Sequence, residues 1–189
     1  MIFDAKRPSH LSPAEVKSII GREEDQELDF KTLAYQDLNK EEKIWKLDLL
    51  KDVTSFANAQ GGYLFVGVEE DGNNRATKFR NVENARDKSK SIFDICSRYI
   101  EEKLSGDEIV IGPYTIDKKT EILIIRILPG QKQPYMINFQ DNTLFYKRHG
   151  KGNRVMTANE IRNAFMGDEQ LRRLEKIEKM LGHLIRKEK

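Results

Sequence analysis

Phe56-Ala57-Asn58-Ala59-Gln60-Gly61-Gly62-Tyr63-Leu64-Phe65-Val66-Gly67-Val68-Glu69-Glu70-Asp71-Gly72 is the stretch on which the fold turns. From Tyr63 to Val68 the chain is continuously apolar, entered through a glycine pair and left through an acidic turn. That pattern reads as a strand covered on both faces, the central strand of a sheet. Upstream, Ile44, Leu47, Leu50, Val53 and Ala57 recur at three- and four-residue steps, which predicts an amphipathic helix over 40–57. The glycine pair therefore follows a helix and enters a strand. A phosphate-binding P-loop runs from a strand through Gly-Lys-Ser or Gly-Lys-Thr into a helix, so no ATP site is read here.

On either side the pattern is mixed. Ser12-Pro13-Ala14-Glu15 is a capping box with proline at the first helical position, opening a short helix to about Ile20. Glu27 to Thr32 reads as a strand, Ala85 to Leu104 as a second helix, and Ile109 to Ile116, Glu121 to Leu128, Tyr135 to Phe139 and Thr143 to Lys147 as successive strands. Thr157-Ala158-Asn159-Glu160 caps a helix towards Phe165. After Gly167, leucine or isoleucine recurs at 171, 174, 177, 181, 184 and 185 among charges. The prediction is an α+β domain over 1–167, with a central mixed, largely antiparallel sheet flanked by helices, and a C-terminal helical tail over 168–189. The tail either docks on its own domain or serves oligomerisation.

The chain has 189 residues, 33 lysines and arginines against 31 aspartates and glutamates, and a formal net charge of +2. A nucleic-acid surface would therefore need segregated charge. No apolar run is long enough to span a bilayer, no secretory signal is visible at the amino terminus, and the lone Cys96 forms neither an internal disulfide nor a thiolate metal site. A cytoplasmic protein without a membrane partner is expected.

Two acidic clusters and one basic cluster carry the candidate chemistry. The first holds Glu23, Glu24, Asp25, Glu27 and Asp29; the second is Glu69-Glu70-Asp71. Carboxylates converging from separate segments suit a hard cation such as magnesium or manganese, whereas taken singly each run reads as a solvated loop. The basic cluster, Phe145-Tyr146-Lys147-Arg148-His149-Gly150-Lys151-Gly152-Asn153-Arg154, holds four cations and no acid. It reads as a phosphate-holding strand and loop or as a hairpin edge blunted by charge.

The order of these pieces resembles the Schlafen AlbA-like domain family, also described as a divergent AAA or DNA-binding domain. The resemblance spans about Ile19 to Phe165 and rests on Glu24, Asp29-Phe30-Lys31, the phrase from Phe56 to Gly72, and Phe145 to Gly150. It implies nucleic-acid binding, with RNA favoured over DNA. Nuclease members cut structured RNA such as tRNA using three carboxylates, which correspond here to Glu24, Asp29 and Glu69, expected to hold Mg2+ or Mn2+. Asp29 and Glu69 each depart from the family's usual acid by one methylene. Lys31 would steady developing charge, while Tyr146, Lys147, Arg148, Lys151 and Arg154 would hold the backbone. A homodimer or higher oligomer, with the tail as the candidate assembly element, is expected. The alternative is a non-catalytic DNA-binding or transcription-regulatory module, or a subunit of a larger complex.

Overall fold

The structure, a computed structural model, describes residues 2–37, 39–167 and 176–177. In chain order its elements are α1 (Pro13–Lys17), β1 (Leu28–Lys31), α2 (Glu42–Ala57), β2 (Gly62–Val66), β3 (Val68–Glu70), β4 (Ala76–Phe79), α3 (Ala85–Tyr99), β5 (Ile100–Glu101), β6 (Ile109–Thr115), β7 (Glu121–Ile127), β8 (Met136–Phe139), β9 (Asn142–Leu144), β10 (Tyr146–His149) and β11 (Gly152–Val155). Residues 158–167 are helical. The main sheet runs β1-β2-β7-β6, parallel between β1 and β2 and antiparallel elsewhere. Three small antiparallel sheets, β3-β4, β5-β8-β9 and β10-β11, complete an α+β fold.

Both faces of the main sheet are covered, which accounts for the unbroken apolar run in β2. Leu64, Val66, Leu123, Ile125 and Ile127 pack beneath α2 and α3 with Leu50, Val53, Ile92 and Cys96. Tyr63, Phe65, Ile122 and Ile124 pack on the opposite side with Val16, Ile19, Leu28, Phe30 and Val68. Side chains alternate along a strand, so Leu28 and Phe30 entering this second cluster send Asp29 and Lys31 to the α2 side of edge strand β1. That alternation places the candidate site.

The predicted elements are present with shifted boundaries. Gly67 divides the Tyr63 to Val68 run into β2 and β3 at a positive φ of 96°, and a Cβ there would stand 2.6 Å from the Arg80 carbonyl oxygen. The second helix ends at Tyr99 rather than Leu104, because Ile100 and Glu101 pair with β8. The expected Thr143 to Lys147 strand is interrupted at Phe145. In α2, Ile44 is exposed and Trp45 and Leu49 take the inward face. Both capping boxes form, Ser12 with Glu15 and Thr157 with Glu160. The tail over 168–189, with the assembly expected through it, lies outside the described residues except for 176–177.

Candidate functional site

The phrase Phe-Ala-Asn at the end of α2 ties the hairpin side of the molecule to the sheet side. The Asn58 side chain donates to the Tyr135 and Tyr146 carbonyl oxygens at 2.8 and 2.9 Å and accepts from the Tyr135 N–H at 2.6 Å. The β10–β11 hairpin is thereby held against α2. From it, Arg148, only 2% exposed, reaches back to β1. Its guanidinium donates to Asp29 Oδ2 at 2.6 Å and to the carbonyl oxygens of Asp25 and Leu28, and it lies 4.7 Å above the Phe56 ring. Asn153, opposite Arg148 in the hairpin, donates to Asp52 Oδ1 at 2.5 Å and accepts from Ser55 at 2.6 Å. Tyr35 donates to the other oxygen of Asp52.

Lys31 lies between the two buried aspartates, 2.5 Å from Asp29 Oδ1 and 3.8 Å from Asp52 Oδ2. Burial works to raise Asp29, but Lys31, the Glu24 hydrogen bond and Arg148 outweigh it and hold the carboxyl below its usual value. Burial likewise opposes the charge of Lys31, and Asp52 and Asp29 overcome it, raising its pKa. Glu24, beside Asp29 and 8% exposed, is pushed up to about 8 by burial and by its neighbour's charge, while Oε1 accepts from the Phe30 N–H at 3.0 Å.

The third carboxylate to approach this pair is Glu70, not Glu69. Strand alternation after Gly67 sends Val68 inward, Glu69 outward and Glu70 inward again. Glu70 is raised by burial and by Asp29 and lies within hydrogen-bonding reach of Glu24, with one buried oxygen otherwise unpartnered. Glu69 faces β4, where Lys78 and Arg80 approach it at 3.1 and 3.2 Å. The sequence signal that would have found this is the periodicity itself, restarted at the glycine.

The basic cluster is likewise divided. Arg148 is withdrawn into the core, so it is not a phosphate contact in this arrangement. Tyr146 is half-buried, with Lys51 at 5.6 Å over its ring. Lys147 and Arg154 stand near Glu160, at 3.9 and 2.7 Å, and Lys151 reaches Glu23 at 2.8 Å and the Asn73 carbonyl oxygen at 3.3 Å. Lys147, Lys151 and Arg154 keep 36%, 42% and 39% of their side-chain surface exposed.

These carboxylates do not fit a divalent ion as they stand. A hard cation needs oxygens free to turn towards it; both oxygens of Asp29 are held by the chain's own cations, and Glu69 points elsewhere. Among the described residues no group of three histidine, cysteine, aspartate or glutamate side chains is arranged to hold a metal ion. A cleft of about 440 Å3 between α2 and α3, lined by Trp45, Asp94 and Tyr99 among others, includes none of the cluster's residues. No helix among the described residues is long and apolar enough to cross a membrane.

The model of the family described as Schlafen, AlbA_2 matches residues 24–157. No curated protein matches the chain. Among solved structures, the chain is similar to the DIP2311 protein of Corynebacterium diphtheriae, with 19% identity and a TM-score of 0.48 over 76% of this chain and 26% of that one. It is also similar to the N-terminal domain of a RecG-related protein from Nitrosomonas europaea, named as an ATP-dependent DNA helicase, with 12% identity and a TM-score of 0.43 over 77% of this chain and 90% of that one. The chain thus spans about a quarter of the first of these proteins.

Proposed function

The chain belongs to the Schlafen, AlbA_2 family, which points to a nucleic-acid-related function, and from that premise we propose that it binds nucleic acid by its phosphate backbone, with structured RNA preferred over DNA. The observation that carries this reading is the β10–β11 hairpin. Arg148, buried, and Asn153, half-buried, anchor it to β1 and α2, while Lys151 is exposed and Lys147 and Arg154 are half-exposed. Cations on a rigid support lose less conformational entropy on meeting a phosphate than cations on a free loop. Recognition of this kind is largely independent of base sequence and weakens as salt rises.

The test is binding of a labelled structured RNA, such as a tRNA, with chelator present and over a series of salt concentrations. The expected result is a complex whose affinity falls with salt, with a log–log slope of roughly −2 to −4 for three or four phosphate contacts. Failure to bind at low salt would sink the proposal. A second reading, hydrolysis of the phosphodiester backbone, would require Asp29 to give up its bonds to Lys31 and Arg148 so that it and Glu24 could turn to a metal ion. Cleavage that requires manganese and disappears in Glu24→Gln would replace binding by hydrolysis as the function.

A further inference from the structure

The β3–β4 ribbon carries a charged face that the sequence motifs do not include. Residues 72–82 contain Arg75, Lys78 and Arg80 and no acid. Val68 and Ala76 pack into the second core cluster, and Phe79 packs against it. Opposite them, Glu69 is directly across from Lys78, and Arg80, just past the end of β4, also reaches Glu69. The exposures are ordered: Lys78 keeps 66% and Arg80 52% of the side chain in solvent, whereas Glu69 beneath them keeps 23%.

The same arrangement recurs at the ribbon's other end. Glu23 accepts from Arg75 and Lys151, each at 2.8 Å. Lys151 belongs to the tip of the β10–β11 hairpin and touches the Asn73 carbonyl oxygen at the ribbon's turn. The two hairpins therefore meet at Glu23, and the ribbon carries basic groups from Arg75 at its turn to Lys78 and Arg80 further along. Glu23 and Glu69 are each shared by two cations. Asp71, at the turn, accepts from the backbone N–H groups of Asn73 and Arg75 at 2.8 and 3.1 Å.

We infer that this ribbon face is a second phosphate-binding surface, meeting the hairpin tip at Glu23, on which Glu23 and Glu69 act as internal stand-ins for phosphate that a nucleic-acid backbone displaces. An exposed ion pair is weak and screened by salt. Arginine meets a phosphate with two parallel hydrogen bonds, and each contact releases counterions from the nucleic acid. The carboxylates hold the cations in place before binding and compete with the ligand for them. This inference rests on the binding function proposed above and gives Glu69 a role opposite in sign to that of a metal ligand.

The experiment is anisotropy with a fluorescein-labelled structured RNA in chelator, comparing the full chain with Glu69→Gln, with Lys78→Gln/Arg80→Gln and with Lys147→Gln. Glu69→Gln is expected to tighten binding by roughly 3–10-fold, by removing a competing charge. The Lys78/Arg80 double variant is expected to weaken it about 10-fold and to reduce the salt slope by about 2. All three variants change exposed or half-exposed side chains, and an unchanged melting temperature checks that they remain folded. If the wild type and Lys147→Gln differ in a salt-sensitive way while the double variant matches the wild type in affinity and slope, the ribbon has no part and the inference falls alone. Weaker binding by Glu69→Gln also overturns it. If the wild type forms no salt-sensitive complex, the proposed function falls first and the ribbon surface with it.

Discussion

Arg148 and Arg75 both lie opposite a carboxylate, yet the two regions they occupy work in different ways. Around Arg148 the charges are withdrawn from water: it is 2% exposed and Asp29 is 2% exposed. Such a group has no alternative partner, so its hydrogen bonds must all be made within the chain. Around Arg75 the side chains of Arg75 and Glu23 keep 49% and 44% of their surface in solvent, where water can take either partner's place and a phosphate can take that of Glu23. The buried pair fixes shape. The exposed pair leaves its cation available to a ligand.

The largest effect that would break this contrast is on folding. Arg148→Ala strands Asp29 in the core with one cation fewer and frees the Asp25 and Leu28 carbonyl oxygens. A loss of about 3–5 kcal/mol is expected in urea unfolding, as for other broken buried pairs. Arg148→Lys should recover only part of it, since an ammonium cannot span the carboxylate and both carbonyls. A loss below about 1 kcal/mol would mean that the burial seen here does not govern stability.

The second effect is on pH. Glu24 is raised to about 8 when folded and returns to about 4.5 when unfolded, so below the lower value both states hold the proton and its contribution is intact. As pH rises from there the unfolded chain releases the proton first, and stability falls until pH passes about 8. Burial raises Glu70 and Asp52 in the same direction, whereas the lowered Asp29 acts only at acid pH, where its contribution is lost as pH falls. Melting temperature should therefore decline from mildly acidic to mildly alkaline pH, and Glu24→Gln should flatten that decline. An equal slope in the variant would remove Glu24 as the source.

The smallest effect belongs to the exposed region. Arg75→Gln should change unfolding free energy by no more than about 0.5 kcal/mol. A penalty approaching that of Arg148→Ala would erase the distinction between the two regions.

Much of the scaffold was legible in the sequence because the relevant signals are local. The apolar run of β2, the helical period of α2 and the two capping boxes each declare themselves within a few residues. The family resemblance was legible for the same reason, through Phe56 to Gly72. What was hidden depends on distant partners or on a break in phase. Arg148 looks like a surface cation until Asp29, 119 residues earlier, is brought against it. Glu69 was expected as the third carboxylate from the family resemblance alone; Gly67 starts a new strand and turns Glu70 inward instead. Arg75, Lys78 and Arg80 are spaced among neutral residues, and only the pairing of β3 with β4 brings Lys78 and Arg80 around one carboxylate.

The anchoring of the β10–β11 hairpin through Arg148 and Asn153 has a consequence for sequence variation. Arg148 and Asn153 bracket His149-Gly150-Lys151-Gly152, and a Cβ built on Gly150 or on Gly152 meets nothing within 4 Å. The left-handed turn at Gly150, with a φ of 58°, constrains the backbone of the tip, and asparagine or aspartate tolerates that conformation. Substitutions among the four tip residues thus leave the two anchoring posts in place. Under the proposed binding function, exchange there would alter the contacts at the tip without reopening the core.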